Sequence, residues 1–281
     1  MTITYIFLAL IVLSSLLIVP KDKKILWAGL IITNIIALLE HVMSYQAIIF
    51  LSFLFLASQG FSRGNFSNML KAMLFIIILA LAEGFSFHLI PGFNNLLVIN
   101  KLQLSPESYS FSTYLNFDKV MAALIIFASS NVPNLNPNFK SLKITLFSLF
   151  SCLMLILPLA IIGNYVKFEP KLPEVLGIWA LNNLLFVSFS EEVFFRGFFQ
   201  TQLKNMTKSS ASPIWITAVI FGLAHFHGGV LYVILSIICG FFYGYAYHRT
   251  NSLICSMLVH FGVNFSHFIL FTYPALMPNL N

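Results

Sequence analysis

Long apolar stretches recur along almost the whole chain, and they restrict its possible folds more than any other feature. Each is about 20 residues long, the length that a helix needs to cross the hydrocarbon core of a bilayer. Only 9% of the residues are charged, whereas soluble globular domains carry about 25%. A soluble chain of 281 residues needs a charged surface that this composition does not provide. We therefore predict an all-α, polytopic integral membrane protein with about 8–10 transmembrane helices.

Ten apolar runs are the candidate spans. They cover residues 2–20, 25–43, 45–60, 69–91, 120–131, 142–165, 174–200, 212–227, 229–248 and 252–273. The first has no basic region before it and no small-residue cleavage site after it, so we interpret it as a span and not as a signal peptide. The fifth and the eighth are short, and the eighth runs into Gly228-Gly229. We expect the eighth to be short, tilted or broken at depth, which is tolerated where the backbone lines a cavity.

Lysine and arginine are distributed unevenly between the two sides of the predicted membrane. With the N-terminus outside, the inside loops contain Lys21, Lys23, Lys24, Arg63, Lys71, Lys140, Lys143, Lys204, Lys208 and Arg249. The outside loops then contain Lys101, Lys119, Lys167 and Lys171. Cytoplasmic loops retain more basic residues, so this bias favours both termini facing outward. It also accounts for the net charge of +6 without a nucleic-acid partner, and we expect none.

Two polar stretches divide the chain. Residues 94–118 predict an outside loop with little that would pack into a core. Residues 131–143 contain Pro133 and Pro137, which break helices. This second stretch predicts a boundary between two transmembrane parts. The first is an N-terminal bundle of unknown role, residues 1–135, and the second is a domain, residues 140–281, which contains the candidate reactive residues.

The seventh run contains three ionisable side chains, Glu191, Glu192 and Arg196. Each costs roughly 2.5–3.5 kcal/mol at the centre of a bilayer, so the cluster needs an explanation. Glu192 and Arg196 are four residues apart and can pair along one helix face. That pairing leaves the negative charge of Glu191 unpaired, about 100° around the helix and free to face a cavity. A buried ion cluster joining helices is the alternative, but unpaired charge in a membrane more often marks function.

Histidines in later runs complete the pattern. His225 ends the eighth run, and His260 and Asn264 are four residues apart on one face of the tenth. A carboxylate and an imidazole can hold and deprotonate a water molecule. A histidine and an asparagine can donate hydrogen bonds to a developing oxyanion, each worth about 3–4 kcal/mol in known cases. His227 and His267 are more simply interpreted as hydrogen-bonded links between helices.

Three motifs in one order carry a resemblance to a known family. They are Glu191-Glu192-x-x-x-Arg196, Phe221-x-x-x-His225 and His260-x-x-x-Asn264. Together they resemble the motifs of the CAAX-processing and bacteriocin-processing (Abi) family of intramembrane glutamic proteases, which includes the type II CAAX prenyl endopeptidase. The resemblance extends from near residue 179 to near residue 271, about a third of the chain.

The resemblance implies a role for each motif residue. Glu191 would activate the water, and His225 would assist it. His260 and Asn264 would form the oxyanion site. The remaining motif residues would support these: Glu192 and Arg196 by organising their helix, and Phe221 by packing one turn before His225. No cofactor and no metal ligand is implied.

We predict a metal-independent intramembrane endopeptidase that processes a membrane-attached protein or peptide. The lysine-, isoleucine- and asparagine-rich composition suggests a bacterial chain, so we expect a bacterial inner membrane and substrates with a membrane-spanning tail instead of a prenyl group. A zinc-dependent membrane protease and a proton-coupled transporter are the alternatives. However, an H-E-x-x-H motif is missing, asparagine is not a usual zinc ligand, and the sequence shows no inverted repeat of the transporter type.

Smaller features have structural interpretations. The GxxxG pattern at residues 240–244 predicts a close approach between helices within the chain. The pair Asn182-Asn183 lies about two turns before the glutamates, where one amide could hydrogen-bond within the site. Glu83 and His88 form a polar pair that we interpret as lying at a helix edge.

Overall fold

The computed structural model describes residues 2–17, 23–130, 138–207, 209 and 211–277. The predicted linker prolines Pro133 and Pro137, and the loop lysines Lys21 and Lys208, lie outside these ranges. The described residues are 74% helical with little sheet, which confirms the predicted all-α, polytopic membrane fold.

Each of the ten predicted apolar runs corresponds to helical structure. The single helices are α1 (Thr2–Leu17), α2 (Lys23–Leu39), α3 (Tyr45–Arg63), α4 (Asn68–Ser86), α5 (Phe117–Ser129), α6 (Phe139–Ile162), α10 (Ser212–Leu223), α11 (Gly229–Thr250) and α12 (Leu253–Leu270). The seventh run is a succession of helical segments. It comprises α7 (Leu176–Asn182), a π-helical segment (Asn183–Ser188), α8 (Phe189–Glu192), a second π-helical segment (Val193–Gln200) and α9 (Thr201–Thr207).

Five helices in the described ranges are long and apolar enough to cross a membrane, and these are α3, α4, α6, α11 with the turn before it, and α12. α1 and α10 are apolar but shorter. The exposed side chains of α6 include Phe147, Phe150 and Met154, each at least 60% exposed. Apolar surface on this scale needs lipid around it instead of water. The chain is therefore an integral, multi-pass membrane protein.

The structure divides into two compact units that differ from a simple N- and C-terminal split. The first comprises Met1–Leu96, Tyr114–Leu135 and Leu185–Phe198, and the second comprises Leu97–Thr113, Asn136–Leu184 and Phe199–Asn281. These units do not test the predicted division of roles between residues 1–135 and 140–281, which stays a prediction.

Helix α5 is the centre of the first unit. It contacts α1, α2, α3, α4 and α8, and every residue of α5 except Lys119 is buried. A helix that is apolar on all faces is stable only where other helices surround it. The fifth run was predicted to be short for a span, and its 13 residues form this internal helix.

In the second unit, α6, α10 and α12 all pack against α11. The pattern at residues 240–244 makes this possible, because a Cβ atom at Gly240 would lie 3.1 Å from the Cα atom of Ala218 on α10. One at Gly244 would lie 2.7 Å from the Gln200 amide oxygen. The predicted close approach within the chain is therefore confirmed.

The predicted outside loop at residues 94–118 is wrong in one respect, because it contains a two-stranded sheet. Strand β1 (Leu96–Leu102) pairs with β2 (Phe111–Leu115). Ile99 of β1 is buried with Trp179 and Phe268, whose rings stack 4.0 Å apart. The hydrophobic run at 96–99 is too short to cross a bilayer, so the search for spans did not reveal it.

Helix α10 is short and broken, as predicted for the eighth run. It begins with Pro213 in its first turn, where the fixed φ of proline favours helix initiation. It ends at Leu223 and is followed by a single 3₁₀ turn, Phe226–Gly228. α11 starts at Gly229, whose φ of +85° lies in a region that favours glycine. His225 therefore lies in the non-helical connection after α10.

Candidate active site

Glu192 and Arg196 form a fully buried ion pair. An Nη1–H of Arg196 donates to Oε1 of Glu192 over 2.9 Å, and both side chains are 0% exposed. The predicted pairing along one helix face is confirmed. Removing one partner of such a pair strands a charge in a low-dielectric interior, at a cost of about 3–5 kcal/mol, so the pair holds this segment in one conformation.

Glu191 is also paired, and the prediction that its charge is unpaired and free to face a cavity is wrong. Nζ of Lys119 donates to Oε1 of Glu191 over 2.6 Å, and the two side chains are 13% and 12% exposed. Lys119 lies in the first turn of α5 and not in an outside loop as predicted. It is 72 residues from Glu191 in sequence, so no local spacing rule could reveal the pair. The sequence contains one indication of this position, since Lys119 directly precedes the apolar run 120–131, which is too short to cross a bilayer.

A third carboxylate belongs to the same group. Glu83, in the last turn of α4, interacts electrostatically with both Lys119 and Glu191. The interpretation of Glu83 and His88 as a polar pair at a helix edge therefore misses the main neighbours of Glu83. Among the described residues, this group contains three carboxylates, Glu83, Glu191 and Glu192, and two cations, Lys119 and Arg196. With all five ionised, this group carries one excess negative charge.

The beginning of α5 is held by a second polar network. His88 does not pair with Glu83. Its Nδ1 lies 2.6 Å from Oδ2 of Asp118. Asn95 donates to Oδ1 of Asp118 over 3.0 Å and accepts from the backbone N–H of Phe117 over 2.8 Å. A carboxylate at a helix N-terminus also complements the helix dipole. These bonds fix the first turn of α5, the turn that carries Lys119.

The two glutamates lie on α8, a four-residue turn between two π-helical segments. A π-helical turn contains an additional residue and changes which side chains share a face, and such turns are frequent at functional sites. The projection of 100° per residue therefore does not hold over residues 183–188 and 193–200. Nothing in the sequence indicates these segments, since they contain no proline and only one glycine.

His225 is fixed by its own preceding turn. Its Nδ1 lies 2.7 Å from the backbone oxygen of Phe221. Because a carbonyl oxygen only accepts, Nδ1 carries the hydrogen. In the neutral ring the lone pair then lies on Nε2. The Phe221 ring contacts the His225 ring at 4.6 Å between centroids.

Phe221 also contacts the second histidine of the motifs. The His260 ring lies 5.9 Å from the Phe221 ring at an interplanar angle of 90°, and it stacks on Tyr243 at 4.6 Å. His260 is 3% exposed. The structure thus places both histidines around one phenylalanine, and Tyr243 is a contact of the site that the sequence analysis missed.

Asn264 lies one helical turn after His260 on α12. Its Nδ2–H donates to Oδ1 of Asn183 over 3.3 Å, which confirms that one amide of the pair at 182–183 bonds within the motif residues. Asn183 thereby orients the Asn264 side chain. His267 has a structural partner, since its Nε2 lies 3.2 Å from the backbone oxygen of Thr272.

The structure thus assigns the motif residues to two groups. Glu191, Glu192 and Arg196 belong to the first unit, and Phe221, His225, His260 and Asn264 belong to the second. In neither group do the described residues include three or more His, Cys, Asp or Glu side chains arranged to hold a metal ion.

Comparisons with known proteins bear on the segment that contains these motifs. The family model for "Type II CAAX prenyl endopeptidase Rce1-like" matches residues 173–266. Neither the curated proteins nor the solved structures give a match. The matched segment includes all three motifs and covers about a third of the chain. Over residues 173–266 the chain is therefore similar to Rce1-like type II CAAX prenyl endopeptidases, and this match supports the family that the three motifs predicted.

Proposed function

We propose that this protein is an intramembrane endopeptidase that uses Glu191 to activate a water molecule. The coarse activity, a protease of the CAAX type, follows from the family match over residues 173–266. The observation that carries the finer mechanism is the environment of Glu191. Its carboxylate is largely buried and held at 2.6 Å by Lys119, within a group that has one more carboxylate than cations.

A base for hydrolysis has to accept a proton without creating an unfavourable charge. The group formed by Glu83, Glu191, Glu192, Lys119 and Arg196 would become neutral on taking up one proton. Glu192 has its own cation, Arg196, whereas Glu83 and Glu191 share Lys119. We therefore propose that the proton is exchanged with water at Glu191. General base catalysis by a positioned carboxylate contributes typically 10²–10⁴-fold.

His225 suits the assisting role that the resemblance assigns to it. The hydrogen on Nδ1 is directed to the backbone oxygen of Phe221, so Nε2 can accept a hydrogen bond from water or a proton from it. The ring is only partly buried. A residue in the irregular connection after α10 can expose its ring in this way, which a residue in a packed helix cannot.

His260 and Asn264 suit the stabilisation of an oxyanion. Both side chains can donate hydrogen bonds, and both are oriented by neighbours, His260 by stacking on Tyr243 and Asn264 by its bond to Asn183. Donors that are oriented in advance stabilise a developing charge without reorganisation during the reaction. This is the role that the resemblance assigns to both residues.

The decisive experiment compares cleavage by the wild type and by Glu191→Gln in reconstituted vesicles. Glu174→Gln is the matched control, because Glu174 is an exposed glutamate of the same matched segment. The substrate panel contains peptides with a membrane-spanning tail and prenylated CAAX peptides, each with and without a chelator. We expect the wild type and Glu174→Gln to cut and Glu191→Gln to lose at least about 10²-fold in rate.

Each other outcome assigns a different function. Loss of activity with chelator and recovery with zinc would establish a zinc-dependent protease. Equal behaviour of wild type and Glu191→Gln across the panel would remove Glu191 as the base, and proton-coupled transport would be tested next. We propose substrates with a membrane-spanning tail in a bacterial inner membrane, and cleavage of the prenylated peptides alone would overturn that choice.

A further inference from the structure

The first unit also contains a groove that is separate from the candidate active site. It has a volume of about 800 Å³ and is formed by α2 and α3 with Ile125 of α5. Its walls are mainly apolar, and their side chains include Leu30, Ile35, Leu38 and Phe55. None of the side chains that line it is acidic.

All of the charge in the groove lies at one end. α2 begins with Lys23 and Lys24, and α3 ends with Arg63. The two helices follow each other along the chain through a short connection, so these three residues meet at the same end of the pair. Arg63 acts electrostatically on Lys23, which places the cations within range of each other. This end of the groove therefore has a basic lining beside apolar walls.

Helix stability does not explain the two lysines. Cations at the N-terminus of a helix oppose its dipole, and anions are favoured there. Lys23 does have one protein partner, since its Nζ donates to the backbone oxygen of Ser130. A carbonyl acceptor carries no net charge, so Lys23 keeps its positive charge in that bond.

We propose that this groove binds one anionic phospholipid. Its phosphate would lie at Lys23, Lys24 and Arg63, and its acyl chains would lie along the apolar walls. The groove follows α2 from Lys23 to Leu38, which is 15 steps of 1.5 Å, or about 22 Å. One leaflet of the hydrocarbon core is about 15 Å deep, so the groove can hold an acyl chain over its whole length.

The polar side chains in the groove are consistent with this orientation. Gln59 lies one turn before Arg63 on α3 and donates to Oγ of Ser129 over 3.0 Å. A primary amide has two N–H groups, so Gln59 has a second donor at the depth where a lipid carries its ester carbonyls. The orientation predicted from the basic residues would place this end at the cytoplasmic leaflet, which carries the anionic lipids.

Native mass spectrometry of the delipidated full chain tests the proposal. The probes are palmitoyl-oleoyl phosphatidylglycerol and the phosphatidylcholine with the same acyl chains. We expect one phosphatidylglycerol to bind in preference. The triple variant Lys23→Gln, Lys24→Gln, Arg63→Gln should bind it at least about tenfold more weakly, since each basic residue near an anionic lipid contributes several-fold. Lys140→Gln with Lys143→Gln, which changes two basic residues of α6, should bind as the wild type does.

A second variant tests the apolar part separately. Ser52 lines the groove and is exposed, so Ser52→Trp fills the groove without changing charge or disturbing the core. It should bind phosphatidylglycerol more weakly, although the three cations remain. Equal binding of phosphatidylcholine would mean an unspecific lipid contact and would overturn the proposal. Displacement of the lipid by inorganic phosphate would also overturn it, because a simple anion site would then suffice.

Discussion

Lys119 is the residue whose position most changes the chemistry of the site. It is the one residue of α5 that is not buried. Its positive charge forms an ion pair with Glu191 and also interacts with the charge of Glu83. Lys119→Met should therefore destabilise the protein by about 3 kcal/mol or more, because it leaves largely buried carboxylates without a cation. The double variant Lys119→Met, Glu191→Gln should recover part of that loss. Denaturant titration in mixed detergent micelles measures both.

An exposed ion pair provides the control for this prediction. Lys167 pairs with Glu107, and both side chains are 57% exposed. Lys167→Met should change stability by no more than about 1 kcal/mol, as is usual for surface pairs. If Lys119→Met were equally mild, or if the double variant were as unstable as the sum of its single changes, Lys119 and Glu191 would not be coupled.

A second prediction at the scale of the residue concerns the tautomer of His225. The backbone oxygen of Phe221 requires the hydrogen on Nδ1, so the neutral ring should be the Nδ1–H form. Nitrogen-15 spectra of histidine-labelled protein distinguish the two tautomers, and His225→Asn identifies the signal. The Nε2–H form at neutral pH would remove the proposed acceptor for the proton of water.

At the scale of the element, the close packing of α10 on α11 positions His225. A Cβ atom at Gly222 would lie 2.3 Å from Cγ1 of Ile237 and 2.8 Å from the backbone oxygen of Val233. Gly222→Ala should therefore force the helices apart, lower stability by about 1–3 kcal/mol and reduce cleavage. Thermal unfolding in detergent and the vesicle assay measure the two effects.

Gly177 on α7 is the matched control, since a Cβ atom there would have no neighbour within 4 Å. Alanine is also the better helix former, by about 1 kcal/mol. Gly177→Ala should leave stability unchanged or raise it. If Gly222→Ala behaved in the same way, the contact between α10 and α11 would not depend on glycine.

At the scale of the whole molecule, the predicted orientation can be tested by labelling single cysteines. The three native cysteines are buried, so they give little background. Ser110 in the connection between β1 and β2, and Asn65 between α3 and α4, are both exposed. A membrane-impermeant thiol reagent should label Ser110→Cys on intact cells and Asn65→Cys only after permeabilisation. The reverse pattern would invert the orientation and remove the leaflet argument for the lipid groove.

The membrane class and the positions of the helices follow from the sequence alone. Long apolar runs with few charges can be stable only where lipid surrounds them, and within such runs helices satisfy the backbone locally. The pairing of Glu192 with Arg196 is equally local, because residues four apart share a helix face. The order of the three motifs likewise predicted the family whose model matches residues 173–266.

Only the tertiary structure decided which charges and amides meet across elements. Glu191 with Lys119, Asn264 with Asn183, and Ile99 of the hairpin with Trp179 are contacts between elements far apart in sequence. The π-helical segments around α8 also escaped prediction, since no residue pattern marks them. Spacing rules describe one helix or strand at a time. The partner of a buried charge depends instead on how several helices pack together.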